Sequence, residues 1–182
     1  NSPFDWSKSF DGDDDYVTVP NEEKYNPTQA LTLEAWVRWD VDPETGDPWA
    51  NIINKSEHQY QLQHSGYTSD SINKYFEFAL ETENGRKYLF STTSPVAGEW
   101  YHIVATYSAD AQEMRIYVNG ELESSRRQTG QINVTDFDIN IGRHVYDYRY
   151  YQGSIAEVAV YDRALSADEI AGITARYYAL LI

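Results

Sequence analysis

Leu31-Thr32-Leu33-Glu34-Ala35-Trp36-Val37-Arg38-Trp39 places an apolar side chain at every odd position and mostly polar ones between them. Successive side chains of a strand point to opposite faces, so a period of two marks a strand buried on one side. Trp36 is the exception, an aromatic on the face that alternation assigns to solvent. Similar runs flank this one at residues 60–64, 74–81, 87–91, 100–107, 114–118, 137–141 and 154–161. Asn84-Gly85 and Asn119-Gly120 lie between successive runs. Asn-Gly supplies the positive φ angles of a type I′ turn, so both are expected to close antiparallel hairpins. Residues 95–98 mark another connection.

Only one segment reads as helix. Ser166-Ala167-Asp168-Glu169 is a capping box, and Ile170, Ile173 and Tyr177 then fall on one face at spacings of three and four. Many short strands with tight turns and one late helix predict an all-β fold. The expectation is two stacked antiparallel sheets, a sandwich or jelly roll, with a short C-terminal helix. At 182 residues, with no repeat or linker, residues 1–182 are expected to form a single domain.

Composition narrows the function. The absence of cysteine excludes a disulfide framework, thiolate catalysis and zinc–sulfur sites. A net charge of −15 repels phosphate backbones and anionic membrane surfaces, so neither nucleic acid nor membrane is an expected partner. No apolar run approaches the ~20 residues of a membrane span. The start at Asn1 is consistent with a mature fragment or one module of a longer chain. Sixteen tyrosines and five tryptophans suit both β-sheet packing and the stacking of sugar rings.

Four segments in this order resemble the bacterial laminin-G-like, concanavalin A-like lectin domains. They are Ser9-Phe-Asp-Gly-Asp-Asp-Asp-Tyr-Val-Thr-Val19; Leu31-Thr-Leu-Glu-Ala-Trp-Val37; Gly98-Glu-Trp-Tyr-His-Ile-Val-Ala-Thr-Tyr107 with Met114-Arg-Ile-Tyr-Val-Asn-Gly-Glu-Leu122; and Ile139-Asn-Ile-Gly142 with Gly153-Ser-Ile-Ala-Glu-Val-Ala-Val-Tyr-Asp-Arg-Ala-Leu-Ser166. Together they span roughly residues 9–176. The resemblance implies a sandwich whose first and last strands meet, bringing Asp11 near Glu157. It also implies modules of secreted or surface-anchored proteins that bind sugars or proteins, many of them with calcium. Ala156 stands where that family usually carries an acid, which weakens a calcium site there.

The acidic loop Asp11-Gly12-Asp13-Asp14-Asp15 offers clustered carboxylates beside a glycine. It reads either as a solvated turn or as a source of the oxygen ligands that calcium takes. With the resemblance, a structural calcium on Asp11 and Glu157, with Asp14 as a further ligand, is the expectation. Trp49 closes an acidic loop over residues 40–49 and either folds back on the sandwich edge or faces a ligand. Residues 143–151 interleave four tyrosines with Arg143, His144, Asp147 and Arg149. Rigid tyrosines favour recognition, so Tyr146, Asp147 and Tyr148, with Trp49 if the two loops approach, are the expected carbohydrate-binding residues. Tyr151 aligns with an aromatic that packs inward in the family. Ser65, Tyr67 and Asp70 form a further polar loop.

No enzyme is expected. The glucanase pattern Glu-x-Asp-x-x-Glu is absent; Glu77 and Glu81 share a face, but Ala79 holds the place of a central acid. No Gly-x-Ser-x-Gly elbow accompanies the four histidines. The reading is a non-catalytic, extracellular binding module, lectin-like, with a glycan or polysaccharide as partner. The alternative is a protein-binding, adhesive or spacer module that meets a cell-surface protein and has no sugar site.

Overall fold

The computed structural model describes residues 6–41, 49–65, 75–146 and 148–179. Its strands are β1 (Lys8–Asp11), β2 (Val17–Val19), β3 (Ala30–Trp39), β4 (Asn51–Asn54), β5 (Tyr60–Ser65) and β6 (Tyr75–Thr82). They continue with β7 (Gly85–Phe90), β8 (Trp100–Ser108), β9 (Glu113–Val118), β10 (Glu121–Arg127), β11 (Ile139–Ile141) and β12 (Gln152–Tyr161), followed by helix α1 (Ala167–Ala179). Two six-stranded antiparallel sheets result, ordered β1-β12-β3-β8-β9-β10 and β2-β11-β4-β5-β6-β7. This is the sandwich with a C-terminal helix that the periodicity predicts.

Alternation along each strand fills the space between the sheets. Leu31, Leu33, Ala35, Val37 and Trp39 of β3 meet Tyr60 and Leu62 of β5 and Phe76, Phe78 and Leu80 of β6 in one buried cluster. Of the two Asn-Gly turns, one follows the expected geometry: Asn119 and Gly120 have φ of 52° and 87°. At the other, Gly85 alone has a positive φ and already belongs to β7, paired with Thr82, so Glu83 and Asn84 make the turn. Strands β4 and β10 escape the period-two reading because their sequences, Asn51–Asn54 and Glu121–Arg127, do not alternate.

Trp36 is fully buried, although it lies on the outer face of β3. Helix α1 explains it. The capping box forms as read: the Ser166 amide donates to Glu169 Oε2 (2.8 Å) and the Glu169 amide to Ser166 Oγ (3.3 Å). The helix then lays Ile170 and Ile173 on Val104 and Tyr117, and Tyr177 on Trp36 with ring centroids 5.4 Å apart. Beneath it, His102 stacks on Trp36 and joins Glu34 (3.0 Å) and Thr174 (2.7 Å), while the Tyr161 hydroxyl donates to Glu34 (2.7 Å). The part of the first sheet's outer face around Trp36, Val104 and Tyr117 is thus covered by the helix.

Candidate ligand-binding site

The outward positions of β5, β6 and β7 fall in register. Gln63 pairs with Glu77, which pairs with Phe90; Gln61 pairs with Ala79, which pairs with Tyr88. These rows floor a cavity of about 270 Å³ lined by Trp49, Glu57, Gln61, Gln63, Glu77, Arg86, Tyr88, Phe90 and Arg149. Polar side chains on an outer sheet face normally lie in water. Here Gln61, Gln63 and Glu77 are at most 3% exposed.

The floor carries unmet hydrogen-bonding capacity. Gln63 Nε2 donates to Glu77 Oε1 at 2.9 Å, but Gln63 Oε1 and Gln61 Nε2 have no partner among the described residues. Nor do Nε and Nη2 of Arg86, whose Nη1 lies 3.4 Å from Glu57 Oε2 and 3.3 Å from the Tyr88 hydroxyl. Leaving a buried donor or acceptor unpaired costs ~1–3 kcal/mol, so such groups concentrated at one site point to function. Burial pushes the Glu77 carboxyl up to about 7, against the opposing hydrogen bond from Gln63 and the charges of Arg149 and Arg86.

The loop between β11 and β12 supplies the wall. Asparagines of β4 hold it: the Asn51 amide donates to the Arg149 carbonyl (3.1 Å) and the Val145 amide to Asn54 Oδ1 (3.2 Å). Asn51 Nδ2 also donates to the Trp49 carbonyl (2.8 Å), so one strand positions both aromatic segments. The Arg149 guanidinium lies 5.6 Å from the Trp49 ring and 4.9 Å from that of Tyr148, so Trp49 and the tyrosine loop approach each other. Buried His144 continues the series, 4.7 Å from Tyr148 and 5.2 Å from Tyr146, which meets Phe137 edge-on. Tyr146 and Tyr148 are exposed and Trp49 is half-buried. Tyr151 is fully buried against Phe10 and Trp39, as its place in the pattern implies. Asp147, Tyr67 and Asp70 lie outside the described residues; Ser65 ends β5 and is buried.

The metal ligand set is not brought together. Strands β1 and β12 do pair, but Asp11 stands opposite Gln152, five positions before Glu157. At the rise of a strand that separates the two by roughly 15 Å. Asp11 Oδ1 instead accepts the amides of Asp13 (2.9 Å) and Asp14 (3.2 Å), which hold its carboxyl below the ordinary value. Glu157 accepts the Tyr177 hydroxyl (2.6 Å) and the Trp6 indole. Among the described residues no three acidic or histidine side chains cluster for a metal. Asp11, Asp14 and Glu157 therefore do not fit one shared calcium ion.

Sequence reasoning passed over Gln61, Gln63, Arg86 and Tyr88, named Arg149 only as one of the residues between the loop tyrosines, and weighed Glu77 only as part of a catalytic motif. The available signal was the row of large polar residues at alternate positions, Gln61-x-Gln63 and Arg86-x-Tyr88-x-Phe90. Alternation assigns such residues to solvent.

Two antiparallel sheets, one carrying a helix and the other a polar, aromatic-walled cavity, define a β-sandwich domain. The chain belongs to the concanavalin A-like lectin/glucanases superfamily, whose Laminin_G_3 profile matches residues 11–171. No curated protein sequence matches it significantly. Among solved structures it is similar to the binding domain of Paraclostridial Mosquitocidal Protein 1 (14% identity, TM-score 0.71, covering 94% of this chain and 44% of that one). It is also similar to domain 4 of AbnA, an extracellular arabinanase from Geobacillus stearothermophilus, in complex with arabinotriose (13%, TM-score 0.67, 92% and 76%). A third is the botulinum neurotoxin serotype D ligand binding domain with N-acetylneuraminic acid (17%, TM-score 0.69, 93% and 41%). The chain thus spans less than half the length of the toxin chains. At these identities the likeness is one of fold. Among the described residues no helix is long and apolar enough to cross a membrane.

Proposed function

We propose that this chain is a non-catalytic carbohydrate-binding module of a secreted or surface protein, with the glycan seated in the cavity on the second sheet. The carrying observation is the pair of buried amide atoms without a partner among the described residues, Gln61 Nε2 and Gln63 Oε1, beneath the Trp49 wall. Sugar hydroxyls both donate and accept, and so complement an amide nitrogen and an amide oxygen side by side. An indole face suits the apolar side of a sugar ring. Tyr148 and Tyr146 extend the aromatic surface outward from the cavity and offer further contacts to a chain of sugars. Two structural relatives crystallised with sugars, and one of these is a domain of a larger extracellular enzyme.

Binding is favoured over hydrolysis by the two carboxylates of the cavity. Glycoside hydrolysis needs a matched pair flanking the scissile bond. Here Glu57 faces Arg86, and Glu77 is buried against Gln63. A glycan array followed by calorimetry tests the reading. The expected result is a Kd on the order of micromolar to millimolar, since a partly open platform supplies modest energy. Trp49→Ala is expected to weaken it at least tenfold, and no reducing ends are expected to accumulate. A featureless array would defeat the proposal.

A further inference from the structure

Arg149 holds no carboxylate among the described residues, whereas Arg38, Arg115 and Arg163 each have one within 2.9 Å. The chain has 29 acidic and 14 basic residues, so an arginine left without a carboxylate in a cavity calls for a reason. Arg149 also has a φ of 60°, a region that costs a non-glycine residue energy and is tolerated where surrounding structure enforces it. Here the bond from the Asn51 amide to its carbonyl does so. Arg86 lines the same cavity with Nε and Nη2 unpartnered. Of the facing carboxylates, Glu57 is drawn to Arg86 and Glu77 accepts from Gln63 Nε2 at 2.9 Å, and burial raises the Glu77 carboxyl toward its neutral form. The cavity is therefore a locally cationic spot on a strongly anionic protein.

We propose that the cavity selects an acidic sugar, with the carboxylate of a uronic- or sialic-type unit on Arg149 and its ring against Trp49. The proposal rests on the carbohydrate-binding reading above. A planar guanidinium engages a carboxylate through two parallel N–H···O bonds, which a neutral sugar cannot reproduce. The flanking rings of Trp49 and Tyr148 hold the guanidinium and leave its nitrogens for the ligand.

Calorimetry at pH 6.5 with oligogalacturonate, oligoglucuronate and sialyllactose, each beside its carboxyl-reduced form, tests this. At least one acidic probe is expected to bind tenfold or more tightly than its reduced form. Arg149→Gln should bring the two together, Arg149→Lys should keep part of the difference, and Trp49→Ala should weaken both. Reduced forms that bind as tightly as the acids, or a preference that survives Arg149→Gln, would overturn the acidic-sugar proposal and leave the carbohydrate-binding reading standing. Absence of binding by every glycan, acidic or neutral, would remove both. Melting curves of the variants verify that each is folded, and should Arg149→Gln fail to fold, the comparison of acidic with reduced probes on the unaltered protein decides alone.

Discussion

Replacing Glu77 with glutamine keeps the shape of a buried side chain and its acceptor for Gln63 while removing its titration. Burial lifts this carboxyl from 4.5 to about 7. Between those values the folded chain holds a proton that the unfolded chain has released, so stability falls as pH rises through the window. At 1.36 kcal/mol per pH unit the full loss is about 3 kcal/mol above pH 7. The residue is 1% exposed, so solvent screening removes little of it. His144 acts in the opposite sense. Burial foremost, then the charge of Arg149, lowers it from 6.5 to about 4. There the unfolded chain takes the proton first, and stability is lost as pH falls from 6.5 toward 4, again by about 3 kcal/mol. Between pH 4.5 and 6.5 the two slopes oppose, and their sum in the unaltered protein is nearly flat. Glu77→Gln removes one slope. The variant should match the unaltered protein near pH 4.5, exceed it by about 3 kcal/mol above pH 7, and show a rising profile from pH 4 to 6.5. Urea unfolding at half-unit steps from pH 4 to 8 reads all three. Parallel pH profiles of the two proteins, whatever the constant offset between them, would refute the burial argument and mean that packing alone had changed.

Three further outcomes follow from contacts beyond the cavity. Tyr161→Phe removes the hydroxyl that donates to buried Glu34, and should cost about 2 kcal/mol in urea unfolding at pH 7. Gly153→Ala would set its Cβ 2.0 Å from the Arg38 carbonyl oxygen at φ 149°, prying β12 from β3; a loss of more than about 3 kcal/mol in thermal or urea unfolding is expected, and a near-neutral effect would contradict the register. Any change in melting temperature on adding calcium or a chelator should be the same in the unaltered protein and in Glu157→Gln, because Glu157 is held by Tyr177 and Trp6 away from Asp11. A calcium shift abolished by Glu157→Gln would restore that residue as a ligand.

What was legible in the residues was whatever depends on local periodicity. The alternation of β3, the Asn119-Gly120 turn and the Ser166–Glu169 capping box each encode their geometry within a few positions, because side-chain direction, φ preference and cap bonding are local properties. The aromatic character of the loop over residues 143–151 was plain from composition, but that Trp49 and Tyr148 meet across Arg149 was not. Three things required the tertiary arrangement. Trp36 breaks its pattern because a helix more than 130 residues later covers that face of the sheet. Asp11 and Glu157 part company because strand register, set by long-range pairing, places Gln152 opposite Asp11. Gln61, Gln63 and Glu77 become a buried floor because three strands align their polar rows and loops wall them in. Alternation tells which side of a strand faces away from the core; only the folded chain determines what lies above that side, and burial there turns ordinary polar residues into the floor of a cavity.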